Sequence, residues 1–314
     1  MHRGTRLFVL AASAALLAFT AVGCGGDDNG GGGDGLSGNI TIDGSSTVAP
    51  LSSAVAEQFS GENSDVNITV GSSGTGGGFE RFCAGETDIS DASRPIEEDE
   101  VEACEKGGIE YQEFRVASDG ITLVTSAQAD VGGDNLTMDQ LKAIWGPDSE
   151  IDNWSDVPGG NFQDAPMALA GPDSQSGTYD FFNEEVLGED AEGEVIEPRQ
   201  DYTASADDNV IVRAVQSAPS ALGYFGFTYY EENADTLKLF KLEGIEPNAE
   251  TITSGDYALS RPLFIYVKSS SLEREEVKEF TCYYLENATA VAEEQQFVTA
   301  PQSAIDESIE KAGC

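Results

Sequence analysis

Three times in this chain a β-rich run ends in a stretch of Ser, Thr and Gly and then enters a helical pattern. That recurrence leaves few folds open. The first unit is Asn39-Ile40-Thr41-Ile42, then Asp43-Gly44-Ser45-Ser46-Thr47-Val48-Ala49-Pro50, then Leu51, Val55 and Phe59 at helical spacing. The second is Asp65-Val66-Asn67-Ile68-Thr69-Val70, then Gly71-Ser72-Ser73-Gly74-Thr75-Gly76-Gly77-Gly78 and Phe79-Glu80-Arg81-Phe82. The third is Pro166 to Gly171, then Pro172-Asp173-Ser174-Gln175-Ser176-Gly177-Thr178-Tyr179-Asp180-Phe181-Phe182. Strand–loop–helix units in succession predict a parallel α/β architecture. In such sheets ligands bind where strand C-termini meet helix N-termini.

The loops themselves point to an anion. Five glycines in the eight residues Gly71 to Gly78 cannot build a core, but they let backbone N–H groups converge and approach a ligand closely. A helix that follows adds unpaired N–H donors and the positive end of its dipole. A plain flexible loop is the simpler reading of any one such stretch. No Gly-Lys-Ser/Thr follows, and Phe79 stands where a dinucleotide fingerprint needs its third glycine, so neither nucleotide motif is present.

At the start of the chain, His2-Arg3 and Arg6 precede an apolar run from Leu7 to Val22, short for a membrane span and right for an export signal over residues 1–23. Ala21-Val22-Gly23-Cys24 resembles a bacterial lipoprotein cleavage box, with Ala21 in place of the usual leucine, which makes Cys24 a lipid anchor. Plain secretion with Cys24 incidental is the alternative. Residues 24–38, rich in Gly, Asp and Asn, read as a disordered tether, and about fourteen such residues reach roughly 20 Å. The remainder, about 275 residues, suits two lobes.

Composition then removes partners. Against 57 Asp+Glu stand only 16 Lys+Arg, which argues against nucleic acid and anionic lipid headgroups as partners, and an anion site must work through local dipoles. Apart from Cys24 there are four cysteines and no Cys-x-x-Cys, which argues for disulfides rather than zinc or redox chemistry. Three pairings are open, and the sequence-local one, Cys83–Cys104 with Cys282–Cys314, is expected.

Further along, Ile89 opens a short strand that Pro95 stops, leaving Arg94 at its exit beside Ser93 and Asp91. Arg94 is either an anion ligand or a surface ion-pair partner of Asp91 or Glu97. Ile109 to Phe114 and Gly120 to Thr125 read as separate strands. Thr137 reads as a helix cap, and Trp145 and Trp154 as core. Asp207 to Ser217 is a helix, Ala221 to Phe227 a strand, and Arg261 to Val267 a β run returning to the first lobe. Val277 to Leu285 and Ala288 to Phe297 are closing helices.

In order and spacing, Gly44-Ser45-Ser46-Thr47-Val48-Ala49-Pro50, Gly71-Ser72-Ser73-Gly74, Asp91-Ala92-Ser93-Arg94-Pro95-Ile96 and Asp173-Ser174-Gln175-Ser176-Gly177-Thr178 resemble the extracytoplasmic phosphate-binding proteins of ABC-type phosphate transporters, the PstS type. Ala221-Leu222-Gly223-Tyr224 and Leu259-Ser260-Arg261-Pro262-Leu263 agree as scaffold. The resemblance implies a two-lobed α/β periplasmic-binding-protein fold of type II: residues 39–118 and 257–314 in one lobe, 119–256 in the other, closing by hinge motion on one inorganic phosphate. It implies a monomer that hands its ligand to membrane permease subunits, without a cofactor or metal. Motif position assigns phosphate to Ser46, Thr47, Ser72, Ser176, Gly177 and Thr178, with Ser45 and Ser93 close by. Two positions depart from the best-known form. Pro172 stands where that form has an arginine, and Ser93 where it has the aspartate that accepts the ligand's proton. Arg94 is then expected to supply the guanidinium, so that its loss weakens binding more than about tenfold. Asp91 and Asp173 are the candidate acceptors that would reject sulfate.

Catalysis is disfavoured. His2, the one histidine, lies in the export signal, which removes Ser-His-Asp and Cys-His machinery and histidine metal sites from the remainder. Gly-x-Ser-x-Gly is absent, and the one Ser-x-x-Lys, from Ser308 to Lys311, sits on an acidic helix. A receptor for another tetrahedral oxyanion, or a sensing or adhesion module on the same fold, are the alternatives.

Overall fold

The strand Ser37–Gly44 (β1) sits beside Asp65–Val70 (β2) and Ile89–Ala92 (β3), parallel to both. This is a computed structural model, and it describes residues 35–314. The export signal, Cys24 and all but the last residues of the tether lie outside that range. Parallel neighbours need crossovers. Helix Ala49–Glu62 (α1) supplies one, and Thr75–Cys83 (α2) the other. In α1 the stripe Leu51, Val55 and Phe59 is buried, and Pro50 sits in the first turn, where its missing N–H costs nothing.

A single mixed sheet continues across the molecule. From β2, β1 and β3 it passes to the antiparallel strand Ser260–Lys268, then to Tyr111–Ser126 (β4), Leu222–Gly226, Leu169–Gly171 and Thr203–Ala204. β4 corrects the two-strand reading of its region. Ala117-Ser118-Asp119-Gly120 looks like an interruption, but Ser260 to Leu263 pair with it residue for residue and keep it extended. The first half of β4 therefore pairs with Ser260–Lys268, and the second half with Leu222–Gly226 and Leu237–Leu239.

The two largest hydrophobic clusters both draw on that long strand. Phe114, Val116 and Ala117 belong to one, with Ile40, Val55, Phe59, Leu263, Ile265 and Phe280. Ile121 and Leu123 belong to the other, which holds both tryptophans, Phe181, Phe182 and Tyr224. The change from one cluster to the other falls along β4 between Ala117 and Ile121. Each lobe buries its own aromatic set: Phe59 meets Phe280 edge-on at 5.4 Å, and Trp145 meets Tyr224 at 4.9 Å.

The sequence-local disulfides are the ones formed. Cys83–Cys104 ties α2 to helix Glu98–Gly107 (α3), and Cys282–Cys314 ties Glu275–Glu294 to the terminal helix Gln302–Ala312. The two closing helices read from sequence are one continuous helix to Glu294, followed by a left-handed Gln296 at φ 61° and a short strand, Val298–Thr299.

Candidate functional site

A cleft of ≈ 600 Å³ opens where the loops after β1, β2 and β3 meet the helix Gly177–Phe182. Ser45, Ser46 and Thr47 come from the entry to α1, and Gly74 to Gly77 from the entry to α2. Ser93 and Arg94 follow β3, and Arg261 opens its long strand. Neither α1 nor α2 has a side-chain N-cap. Helices normally satisfy their first N–H groups with a Ser, Thr or Asp side chain. Here Val48 and Gly74 occupy those positions. In α1 the Ala49 N–H returns to the Ser45 carbonyl and Pro50 has none, so the first-turn donors left for something else are those of α2.

Glycine is required where these loops cross. A Cβ on Gly44 would lie 2.1 Å from the Asp91 carbonyl oxygen, and one on Gly78 would lie 2.5 Å from Gly44 Cα. The two anion loops are therefore packed backbone against backbone.

Arg261 is the side chain that sequence reasoning left in the scaffold. It is buried at 8% exposure. Its Nη2 donates to Thr47 Oγ1 at 2.7 Å and to the Gly177 carbonyl at 3.2 Å, and Nε and Nη2 both reach Asp119 Oδ2 at 3.3 Å. The guanidinium stacks on Phe181, 3.9 Å from the ring centroid. Its placement follows from register: Arg261 pairs with Asp119 across the antiparallel ladder, and directly opposed residues share a face. Burial lowers the Arg261 pKa and raises that of Asp119, and each partner opposes the shift of the other. Nη1 faces Glu184 Oε2 at 3.9 Å, on the cleft wall. The signal for Arg261 was present: an arginine inside a run that buries both faces must have a partner.

Arg94 is committed elsewhere. Nη1 and Nη2 bind the two Glu100 oxygens at 2.8 Å each, and Nε lies 3.2 Å from Glu97. Glu100 and the other α3 carboxylates hold its pKa above the usual value. Arg94 lines the cleft as an ion-paired wall, with Glu100 rather than Asp91 as its principal partner.

The remaining sequence candidates divide. Ser46 donates its hydroxyl to Asp180 Oδ2 at 3.2 Å, a contact between lobes. Ser45 Oγ accepts the Thr47 N–H, and Ser93 exchanges hydrogen bonds with Thr75. Ser72 is exposed and lies off the cleft, which its neighbour Ser73 lines instead. Ser176, Gly177 and Thr178 line an adjoining cavity of ≈ 230 Å³ that shares Ser46 and Thr47 with the main cleft. Asp173 accepts from the Gln175 N–H and lines neither space.

Asp91 lies under the site rather than in it. It is fully buried, takes a hydrogen bond from Ser52 Oγ at 2.8 Å, and leaves Oδ2 unpartnered. Burial pushes its pKa to about 8, opposed by Ser52 and reinforced by the charge of Asp43. An acid whose folded pKa is raised loses folding stability as pH climbs from its unfolded value of 3.8 to about 8, and no further above that. Asp91→Asn keeps the Ser52 contact and removes the ionisation. Its melting temperature should therefore rise relative to the parent between pH 5 and 8, at up to about 1.4 kcal/mol per pH unit, then level off. Parallel pH profiles for the two proteins would show that Asp91 is ionised throughout.

A family model described as a PBP superfamily domain matches residues 29–288. The phosphate-binding protein PstS of Staphylococcus epidermidis is 42% identical over 289 residues, 89% of this chain and 84% of that protein. Protein SphX of Synechococcus elongatus is 43% identical over 273 residues, 84% of this chain and 78% of that protein. A crystal structure described as a possible phosphate binding protein from Planctomyces limnophilus superposes with a TM-score of 0.82 at 43% identity, covering 88% of this chain and 99% of that one. With two α/β lobes, a cleft between them and relatives matched over most of their length, the chain belongs to the PBP superfamily of solute-binding proteins and, within it, to the PstS-type phosphate-binding proteins.

Proposed function

We propose that this chain is an extracytoplasmic receptor for inorganic phosphate that delivers the anion to the permease of an ABC-type transporter. One observation carries the reading: a buried guanidinium, the hydroxyls of Ser46 and Thr47 and the uncapped entry of α2 meet in a single cleft between the lobes. In a chain this acidic, local donors of that kind are what can hold a dianion against the long-range field.

In this reading Arg261 takes the guanidinium role first expected of Arg94, and Arg94 with Glu100 forms the wall. Ser46, Thr47 and the first-turn N–H groups of α2 bind from one lobe. Ser176, Gly177 and Thr178 approach from the other. Ser73 stands in for Ser72. Glu184, on the wall beside Arg261 and raised in pKa by burial, replaces Asp91 and Asp173 as the acceptor of the ligand's proton. Closure bends the two strands that pass between lobes, dividing residues 39–118 and 257–314 from 119–256. Cys24 carries the lipid, the receptor is a monomer, and it performs no chemistry on its ligand.

The test is calorimetric titration of the purified protein after exhaustive phosphate removal, with phosphate and then sulfate at pH 7 and 8.5. One-to-one phosphate binding, micromolar or tighter, with sulfate silent is expected. Equal binding of both anions retires phosphate selectivity. Silence from both retires the receptor reading.

A further inference from the structure

Beneath the cleft lies a carboxylate that touches none of it yet holds both of its glycine-rich loops. Asp43 is the penultimate residue of β1 and is 1% exposed. Its Oδ1 accepts the Gly44 N–H at 2.8 Å and the Ser73 N–H at 3.0 Å, one from each loop. Its Oδ2 pairs with Arg81, near the end of α2. The fit leaves no room for adjustment, since a Cβ on Gly71 would lie 2.7 Å from Asp43 Oδ1. Backbone bonds complete the joint: Gly71 N–H to the Ile42 carbonyl at 2.8 Å, and Gly74 N–H to the Gly44 carbonyl at 2.9 Å.

We propose that Asp43 is the positioning residue of the anion site: its carboxylate pins the Ser45–Thr47 loop to the Ser73–Gly77 loop, so that their donors face the cleft before any ligand arrives. The inference rests on the phosphate-receptor reading for its effect on affinity, but the pin itself is independent of the ligand.

Glycine-rich loops have many alternatives to sample, and donors that must first be ordered bind weakly. A negative charge so close to an anion site is tolerable because both oxygens are already engaged, one by two amides and the other by a guanidinium. The geometry of the two loops is set from below, which leaves the α2 entry for the cleft.

The experiment compares Asp43→Ala and Asp43→Asn with the parent protein by phosphate calorimetry and by amide hydrogen exchange without phosphate. Asp43→Ala should weaken phosphate binding by about tenfold or more and speed exchange at Gly44 and Ser73, while residues of the second lobe keep their protection. Asp43→Asn retains Oδ1 as an acceptor and should recover most of both effects. Three results would each overturn the proposal: Asp43→Ala binding within about twofold of the parent, weaker binding with unchanged exchange at Ser73, or an Asn variant no better than Ala. A parent protein that binds no phosphate would remove the receptor reading, and the exchange measurement would still decide the pin.

Discussion

Replacing Arg261 by Ala should weaken phosphate binding by about a hundredfold or more, the largest single loss available in this cleft. The guanidinium is buried, contacts Thr47 on one lobe and Gly177 on the other, and has been stripped of water by its own fold. In such surroundings a charged, forked donor is worth far more than at the surface. The variant also strands Asp119, whose pKa burial already raises and Arg261 holds down. Removing one member of a buried ion pair typically costs about 3–5 kcal/mol of stability.

The two effects can be separated. Asp119→Asn added to Arg261→Ala should restore the melting temperature without restoring phosphate affinity, because the amide needs no counter-ion and supplies no donor to replace the fork. Arg261→Lys keeps the charge but cannot reach Thr47, Gly177 and Asp119 together, so an intermediate loss of about tenfold is expected. Arg94→Ala serves as the control. With its guanidinium already taken by Glu100 and Glu97, its loss should change affinity by about threefold at most. Arg94→Ala weaker than Arg261→Ala would reverse the assignment.

Gly177→Val should weaken binding by more than about tenfold through sterics alone. A Cβ at position 177 would lie 2.5 Å from Thr47 Oγ1 and 3.1 Å from Thr47 Cα, so any side chain there wedges the lobes apart. Gly177 and Thr47 belong to different loops, on different lobes, and are not held together by either core. The wedge should therefore leave each lobe folded. The expected outcome is a melting temperature close to the parent's, weak phosphate binding, and, in small-angle scattering, no compaction on adding phosphate where the parent compacts. Gly177→Ala should show the same trend to a lesser degree. Full affinity in the Val variant would mean that the ligand-bound state does not bring these two loops together.

Much of this molecule was legible before any coordinates. The strand–loop–helix units, the buried stripe of α1 and both tryptophans in the core follow from patterns that repeat within a few residues, and the disulfides from choosing the nearest partners in sequence. Backbone propensity and side-chain period act at that range, so the sequence is enough. The order of the motifs also sufficed to place the chain in its family.

What escaped were the contacts between side chains on distant segments. Whether Ser72 or Ser73 turns toward the cleft depends on how a glycine-rich loop is clamped by Asp43, and such loops carry no period to read. Whether Arg94 or Arg261 is the guanidinium shared between lobes depends on α3 folding Glu100 back onto the first, and on register for the second. Asp119 and Arg261 are 142 residues apart, and only the pairing of two lobe-crossing strands makes them neighbours. Sequence by itself determined most of the elements, the anion-seeking loops and the family. Tertiary structure alone chose which charges meet, because strand register is set by burying two separate cores at once, and no local run of residues encodes that sum.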